Sequence, residues 1–126
     1  MKVILKTIAE KAFYSEGSRN LNIIGIFENV LASNFPATHP MMSIVFTIEA
    51  EPGNYTGFVD ITDKDGKKIV DTSSKPQILN IGINGRSNLI VNVVGATFPH
   101  KGVYSANLRI GDLVESITFN VMPPNE

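Results

Sequence analysis

An alternation of apolar and polar residues with a period of two constrains the fold more than any other feature of this sequence. Between Met42 and Ala50, for example, every second side chain is apolar. Successive side chains of a strand point to opposite faces, so this pattern is typical of strands with one buried face. The positions that we expect to face inwards are Met42, Ile44, Phe46, Ile48, Ala50, Tyr55, Val59, Ile61, Leu79, Ile81, Ile83, Leu89, Val91, Val93, Tyr104, Ala106, Leu108, Ile110, Ile117, Phe119 and Val121.

Turn-forming residues separate the alternating segments at intervals typical of hairpins, as at Pro52-Gly53, Asp65-Gly66 and Asn84-Gly85. Ile and Val supply 26 of the 126 residues against 7 Leu. Branching at Cβ disfavours helix and suits a pleated surface. We therefore predict an all-β protein: a two-sheet antiparallel β-sandwich of about nine strands with Greek-key or meander connections, and no helix longer than a turn.

The length of 126 residues fits one domain, which we expect to span residues 1–126. Pro123 and Pro124 should stop the last strand, so residues 123–126 are expected to form a frayed tail. The first apolar run ends at Lys6 after three residues, whereas a signal peptide needs a core of roughly 7–15. No 18-residue apolar stretch follows, and we expect no membrane association.

Charge and cysteine content exclude several classes of function. Eleven basic and twelve acidic residues give a net charge of −1, without a basic cluster. Nucleic-acid-binding proteins neutralise phosphates with such clusters, so we expect no nucleic-acid partner. The chain contains no cysteine, which excludes disulfides, cysteine nucleophiles and thiolate-bound metals. The absence of disulfides also favours a cytoplasmic protein.

Two N-terminal segments are apolar on both faces, unlike the others. In residues 3–13 and 21–27, apolar residues occupy both odd and even positions, including Ile4, Ile24 and Ile26. A strand that is apolar on both faces needs cover on both faces, from its own chain or from a partner. The loop at 34–40, which contains two prolines, is the candidate for cover within the chain. The alternative is an interface formed by Ile4, Ile24 and Ile26.

Residues suited to catalysis or metal binding are few. His39 and His100 stand in Pro-containing segments, where we interpret them as solvated loop residues. An enzyme would need both to converge with an acid such as Asp112. Asp63-Lys64-Asp65-Gly66 does not fit the spacing of a calcium loop and is typical of a hairpin turn, which makes Asp60 and Asp71 solvent-facing strand residues. We predict no catalytic residue, cofactor or metal.

The segment Gly102-Val103-Tyr104 resembles the entry to the penultimate strand of immunoglobulin-like sandwiches, in which the tyrosine hydroxyl fixes the corner. More widely, Ile23-Ile24-Gly25-Ile26-Phe27, Phe35-Pro36, the Asp63-to-Gly66 turn and Gly102-Val103-Tyr104 together resemble a family of uncharacterised bacterial small β-sandwich proteins. The resemblance implies an immunoglobulin-like sandwich without established activity. It assigns no functional residue.

The function that the sequence favours is a non-enzymatic protein-interaction or assembly module acting as a homo-oligomer. A dimer is the default, because most oligomers are cyclic with isologous interfaces. The alternative is a sandwich that binds a small ligand or a carbohydrate. Sugar sites stack the ligand on exposed aromatics, and Tyr14 beside the Gly17 turn is the side chain best placed for that role.

Overall fold

The computed structural model describes residues 1–124 and contains ten strands in two sheets. The all-β, two-sheet prediction is confirmed, but the count is ten rather than nine. Within residues 1–124 there is no helix, and so none that could cross a membrane. The strands are β1 (Lys2–Tyr14), β2 (Leu21–Ile26), β3 (Asn29–Leu31), β4 (Ala37–Glu49), β5 (Gly53–Asp63), β6 (Lys68–Asp71), β7 (Gln77–Ile81), β8 (Arg86–Phe98), β9 (Gly102–Ile110) and β10 (Leu113–Met122).

The smaller sheet has the order β2-β1-β4-β8, and the larger has the order β3-β10-β9-β5-β6, with β7 also paired to β5. All pairs are antiparallel except β3 with β10, which is parallel, so the prediction of a purely antiparallel sandwich is wrong at this edge. Phe27, Val30 and Leu31 have the spacing of a helical turn in the sequence, yet Val30 enters the core from the strand β3 at 4% exposure. Tertiary packing overrides local spacing in a three-residue element.

The alternation identified the core almost completely. The four apolar positions of β4 from Met42 to Ile48 are fully buried, as are Val59, Ile61 and the inward residues of β9. Ile83 is the exception: it lies in the turn after β7 and is entirely exposed, at 101%. The turn at 82–85 ends the pleat before Ile83, so the period of two no longer applies there.

The alternation shifts by one residue in β8 at Gly95. Val91 and Val93 are buried before it, and Ala96 and Phe98 after it. Gly95 has a φ of 69°, a left-handed conformation that glycine adopts without strain, and by register it lies opposite Pro40. The shift turns the ends of β4 and β8 towards the larger sheet.

This arrangement corrects two expectations about residues 34–40. Their second half is not a loop but the first part of β4, with Ala37 paired to Phe98 and His39 to Ala96. Proline is tolerated at position 40 because β1 pairs with β4 only as far as Ser43, so the strand is free on that side. His39 is therefore a half-buried strand residue, whose ring centroid lies 5.8 Å from that of Phe27.

Tyr104 fixes the start of β9. Its side chain is buried among Phe98 and Phe119, and its hydroxyl donates a 2.6 Å hydrogen bond to the carbonyl of His100. This bond ties the turn before β9 to the core, as the resemblance at Gly102-Val103-Tyr104 implied. At the other end of the chain β10 stops at Met122 before Pro123. Residues 125 and 126 of the expected frayed tail lie outside the described residues.

Candidate functional site

The smaller sheet has an outer face that is apolar and uncovered, and we call it the outer apolar face. Ile8, Ile44 and Val91 point into the sandwich core, so their neighbours Ala9, Val45 and Ile90 point outwards. Across the sheet, Ile26 pairs with Ala9, and Thr7 pairs with Val45. Residues paired across strands share a face. The members of the outer apolar face are Leu5, Thr7, Ala9, Lys11, Phe13, Ile24, Ile26, Met41, Ser43, Val45, Thr47, Asn88, Ile90, Asn92 and Val94.

The centre of this face is shielded by its rim, while the rim itself is open to solvent. Ala9, Ser43 and Val45 are fully buried, although neither Ala9 nor Val45 belongs to the core between the sheets. Around them Val94 is 77% exposed and Ile26 64%. Large exposed apolar patches are uncommon on monomeric proteins and are often interaction sites.

The three sequence-predicted interface residues lie in strands of the smaller sheet, and Ile24 and Ile26 belong to its outer apolar face. Ile24 is 51% exposed and pairs with Lys11, beside Ile26 on the edge strand β2. Ile4 is the extra residue of a β-bulge in β1, where the register shifts between Val3 and Leu5, and it is 37% exposed. The chain therefore does not cover Ile24 and Ile26, and the suggested cover by residues 34–40 is wrong.

Sequence analysis missed the part of the face that β4 and β8 provide. Leu5, Met41 and Val94 are exposed on it together with Ile24 and Ile26. The signal was present as consecutive apolar residues, Ile4-Leu5, Met41-Met42 and Val93-Val94, in which one member must leave the core. That these residues share a face follows only from the pairing of β1, β4 and β8.

Polar groups on the outer apolar face are mostly satisfied within it. Ser43 donates to Asn92 Oδ1 at 2.7 Å, and Thr47 donates to Asn88 Oδ1 at 2.6 Å. Lys11 lies over the ring of Phe13, with its Nζ 5.6 Å from the centroid. Such paired amides and hydroxyls can be buried against a partner at little cost.

The outer face of the larger sheet has the opposite character, and Asp60 is its centre. The Asp60 carboxylate is fully buried: Oδ1 accepts from Asn107 Nδ2 at 2.8 Å and Oδ2 from Arg109 Nε at 2.7 Å. Asn107 Oδ1 in turn accepts from the hydroxyls of Ser105 and Ser116. The prediction that Asp60 faces solvent is thus wrong, whereas Asp71 is exposed as expected. The bond to Asp60 raises the pKa of the Arg109 guanidinium.

The two histidines do not form a catalytic pair with Asp112. His100 stands before the first residue of β9 and Asp112 follows its last, so about 25 Å of strand separates them. His100 instead places Nε2 3.6 Å from Asp63 Oδ2, an ion pair when the imidazole is protonated. It is therefore in contact with its neighbours rather than merely solvated. Among residues 1–124 no three His, Asp or Glu side chains form a metal-binding group.

Asp63 also organises the turn after β5. Its Oδ1 accepts from the backbone N–H groups of Lys67 and Asp65, each at 2.9 Å. The bond from Lys67, assisted by those from Asp65 and His100, holds the pKa of the Asp63 carboxyl below its usual 3.8 despite its burial. Burial raises the pKa of the Tyr104 hydroxyl nearby. These contacts give Asp63 and Tyr104 a structural role in the two turns.

A cleft at the opposite end of the sandwich is a candidate site for a small ligand. Its volume is about 520 Å³, and its lining includes Asn54, Tyr55, Thr56 and Asp112. The hydroxyl of Tyr55 donates to the carbonyl of Glu51, which fixes the ring beside Gly53. Tyr14, suggested for sugar stacking, is 44% exposed as expected but is not among the residues that line this cleft.

A family model matches residues 5–122, from the fourth residue of β1 to the last residue of β10. The chain belongs to DUF6941, a family of unknown function. Membership of an uncharacterised family, which the turn and strand motifs predicted, is confirmed. The DUF6941 match includes both sheets and all of the outer apolar face, whereas Ile4 lies one residue before it. No curated protein matches the chain.

Proposed function

We propose that this member of DUF6941 is a non-enzymatic assembly module that binds a second copy of itself through the outer apolar face. The observation that carries the proposal is the row of exposed apolar side chains around a buried centre, from Ile26 on β2 to Val94 on β8. Burying apolar surface is the main favourable term in protein association.

The size of the face supports a stable contact. Three strands of 13 residues and one of six span roughly 700 Å² at ordinary strand spacing and rise. A biological interface needs on the order of 500 Å² from each partner. The face is therefore large enough to form such an interface alone.

The composition of the face favours a second copy as the partner. A two-fold interface places the same patch on both subunits, so repeated charges within it would repel each other. The charged side chains on the outer side of this sheet lie towards its ends: Lys11 lies over the Phe13 ring, and Glu49 and Arg86 form an ion pair with each other at 3.1 Å. A charged partner would leave its own charges unpaired against this surface, whereas an identical apolar face would not.

A matched pair of aspartate variants tests the proposal. Val94→Asp places a charge on the face far from β2, and it should lower the solution mass by at least half at micromolar concentration. Ile83→Asp changes an equally exposed apolar residue in the turn after β7 and should leave the mass unchanged. Light scattering after size exclusion reads both. Equal masses for the two variants and the parent protein would contradict the proposal.

The cleft near Tyr55 supports a second candidate function, the binding of a small ligand or carbohydrate. A fixed aromatic ring beside Asn54, Thr56 and Asp112 offers stacking together with amide, hydroxyl and carboxylate partners for sugar hydroxyls. Ligand binding raises the melting temperature by mass action. A monosaccharide panel should raise it in the parent protein and not in Tyr55→Ala if this function is correct, and no rise with any sugar counts against it.

The finer fold assignment belongs to the same proposal: an immunoglobulin-like Greek key in a cytoplasmic bacterial protein. The strand order supports it, since β1, β4 and β8 correspond to strands A, B and E, and β5, β9 and β10 to C, F and G. The bond from Tyr104 to His100 matches the tyrosine corner of that fold. The cytoplasmic location is supported by the absence of cysteine.

A further inference from the structure

We propose that β2 pairs edge to edge and antiparallel with β2 of a second copy, which joins two four-stranded sheets into one of eight strands. This inference rests on the proposed homo-oligomeric function and adds an interface distinct from the outer apolar face. Backbone hydrogen bonds form the edge interface, whereas side chains of β4 and β8 dominate the face.

The edge of β2 is unprotected. β2 has β1 on one side and no strand on the other among residues 1–124, so half of its backbone N–H and C=O groups point away from the sheet. Its sequence Leu21-Asn22-Ile23-Ile24-Gly25-Ile26 has no charge and no proline, the residues that usually block edge pairing. An apolar edge of this kind is a template for another strand.

The other sheet edges are protected. Gln77 of β7 donates from Nε2 to the carbonyl of Ile90 at 3.3 Å, so β7 lies against the free side of β8. In the larger sheet, β3 has only three residues and β6 only four, with Lys68 at its start. Short strands and lysines discourage edge pairing. β2 is therefore the edge best suited to a partner strand.

Charges at the two ends of β2 favour a second copy in antiparallel orientation. Arg19 precedes the strand and Glu28 follows it. Within residues 1–124, neither side chain forms a hydrogen bond or an ion pair, and both residues are exposed. A two-fold axis at Ile24 would place Arg19 of one copy opposite position 29 of the other, so that Glu28 lies one residue from the position that faces Arg19. Two ion pairs between Arg19 and Glu28 would form in each dimer.

Gly25 shapes the edge without ending it. Its φ is 73°, and it lies between two regular pairs, Ile24 with Lys11 and Ile26 with Ala9. An ideal Cβ at this position would approach the Glu10 side chain to 2.7 Å, so the backbone here runs close to β1. The register is the same on both sides, which keeps both halves of β2 available to a partner.

Charge reversal in a protein that lacks the face contact tests the edge directly. In the Val94→Asp background, we expect a species of twice the 13.7 kDa chain mass to remain. Arg19→Glu and Glu28→Arg should each weaken this dimer about tenfold, since two pairs become repulsive. The double variant, with the charges exchanged, should restore the parent dissociation constant. Sedimentation equilibrium measures the dissociation constants of the Val94→Asp protein alone, with each charge reversal and with both.

The outcomes separate this inference from the proposed function. Edge pairing is wrong if the Val94→Asp protein is a monomer at every concentration. It is also wrong if neither charge reversal weakens the dimer. In both cases the face proposal stands. If charge reversal weakens assembly in the parent protein and Val94→Asp leaves it intact, the edge is correct and the face is not. A monomeric parent protein overturns both.

Hydrogen exchange supplies a readout that does not depend on charge. Pairing of β2 should slow the exchange of outward-facing backbone amides within Leu21–Ile26 as the concentration of the Val94→Asp protein rises. Amides of β3, a short edge in the larger sheet, serve as the internal control and should not change. Exchange in β2 that is independent of concentration would overturn the inference.

Discussion

The outer faces of the two sheets differ in the character of their side chains: one is a polar network, and the other is mainly apolar. On the larger sheet, a buried carboxylate, Asp60, is held by Asn107 and Arg109, and the network satisfies its own polar groups. On the smaller sheet, apolar side chains such as Ile26 and Val94 are left to solvent. The comparison teaches that two outer faces of one sandwich can differ in whether contacts within the chain satisfy their side chains. The polar groups of one face are satisfied within the chain, and we propose that the apolar side chains of the other are covered by a second copy.

The largest effect is expected from breaking the polar face at its centre. Asp60→Ala leaves Arg109 Nε without its acceptor and removes one of the three acceptors of Asn107 Nδ2, and loss of one partner of a buried pair costs about 3–5 kcal/mol. Because the Arg109 side chain is 37% exposed, water recovers part of this, and we expect a loss of about 3 kcal/mol. Urea denaturation measures it, with the exposed Asp71→Ala as control. Equal losses of unfolding free energy in Asp60→Ala and Asp71→Ala would contradict a central stabilising role for Asp60.

A smaller effect is expected at the buried hydroxyl of the outer apolar face. Ser43→Ala removes one hydrogen bond to Asn92, and a single neutral bond contributes about 1 kcal/mol. Unlike Asp60, Ser43 belongs to no larger network, so the loss of unfolding free energy should not exceed that of this one hydrogen bond. Thr38→Ala, in the exposed pair with Thr97, is the matched control and should cost less. A loss for Ser43→Ala as large as that for Asp60→Ala would contradict the contrast between the faces.

We expect the loss of unfolding free energy at acid pH to depend on Asp63, at the end of β5 in the larger sheet. The pKa of Asp63 is lowered in the folded protein, so its contribution to stability is present above the unfolded value near 3.8 and is lost as pH falls through the folded value. Asp63→Asn should therefore make the decline in unfolding free energy below pH 4 shallower. Denaturation at several pH values, with Asp65→Asn as control, checks this. An unchanged slope would mean that other carboxylates carry the acid response.

The smallest effect on the folded chain is expected at the rim of the outer apolar face. Ile26 is mostly exposed, so Ile26→Asp should change the unfolding free energy of the separated chain by about 0.5 kcal/mol or less. It should nevertheless lower the solution mass, because it places a charge in the proposed interface. A loss of several kcal/mol would instead mean that the chain itself covers Ile26, contrary to the exposure described above.

Sequence alone predicted the parts of the molecule that depend on local alternation. Met42, Tyr104 and their neighbours are buried because a regular pleat directs every second side chain inwards. The two-sided apolar pattern also pointed to Ile24 and Ile26. It could not indicate which other residues join them, since Val94 meets the same surface only through pairing of strands far apart in sequence.

The errors share a physical cause, the influence of residues distant in the chain. Asp60 occupies an outward position, and period two therefore predicted exposure, but Asn107 and Arg109 on a different strand enclose it. His39 looked like a loop residue because of Pro40, yet the free side of β4 tolerates proline. The parallel pairing of β3 has no local signal either, because three residues are too few for periodicity.

The solution mass of the parent protein, measured by light scattering across a hundredfold range of concentration, tests the central claim most directly. Assembly through the outer apolar face predicts at least twice the 13.7 kDa chain mass, maintained on dilution into the micromolar range. A mass of 13.7 kDa at every concentration would contradict it, and would mean that the exposed face of the smaller sheet does not bind a second copy.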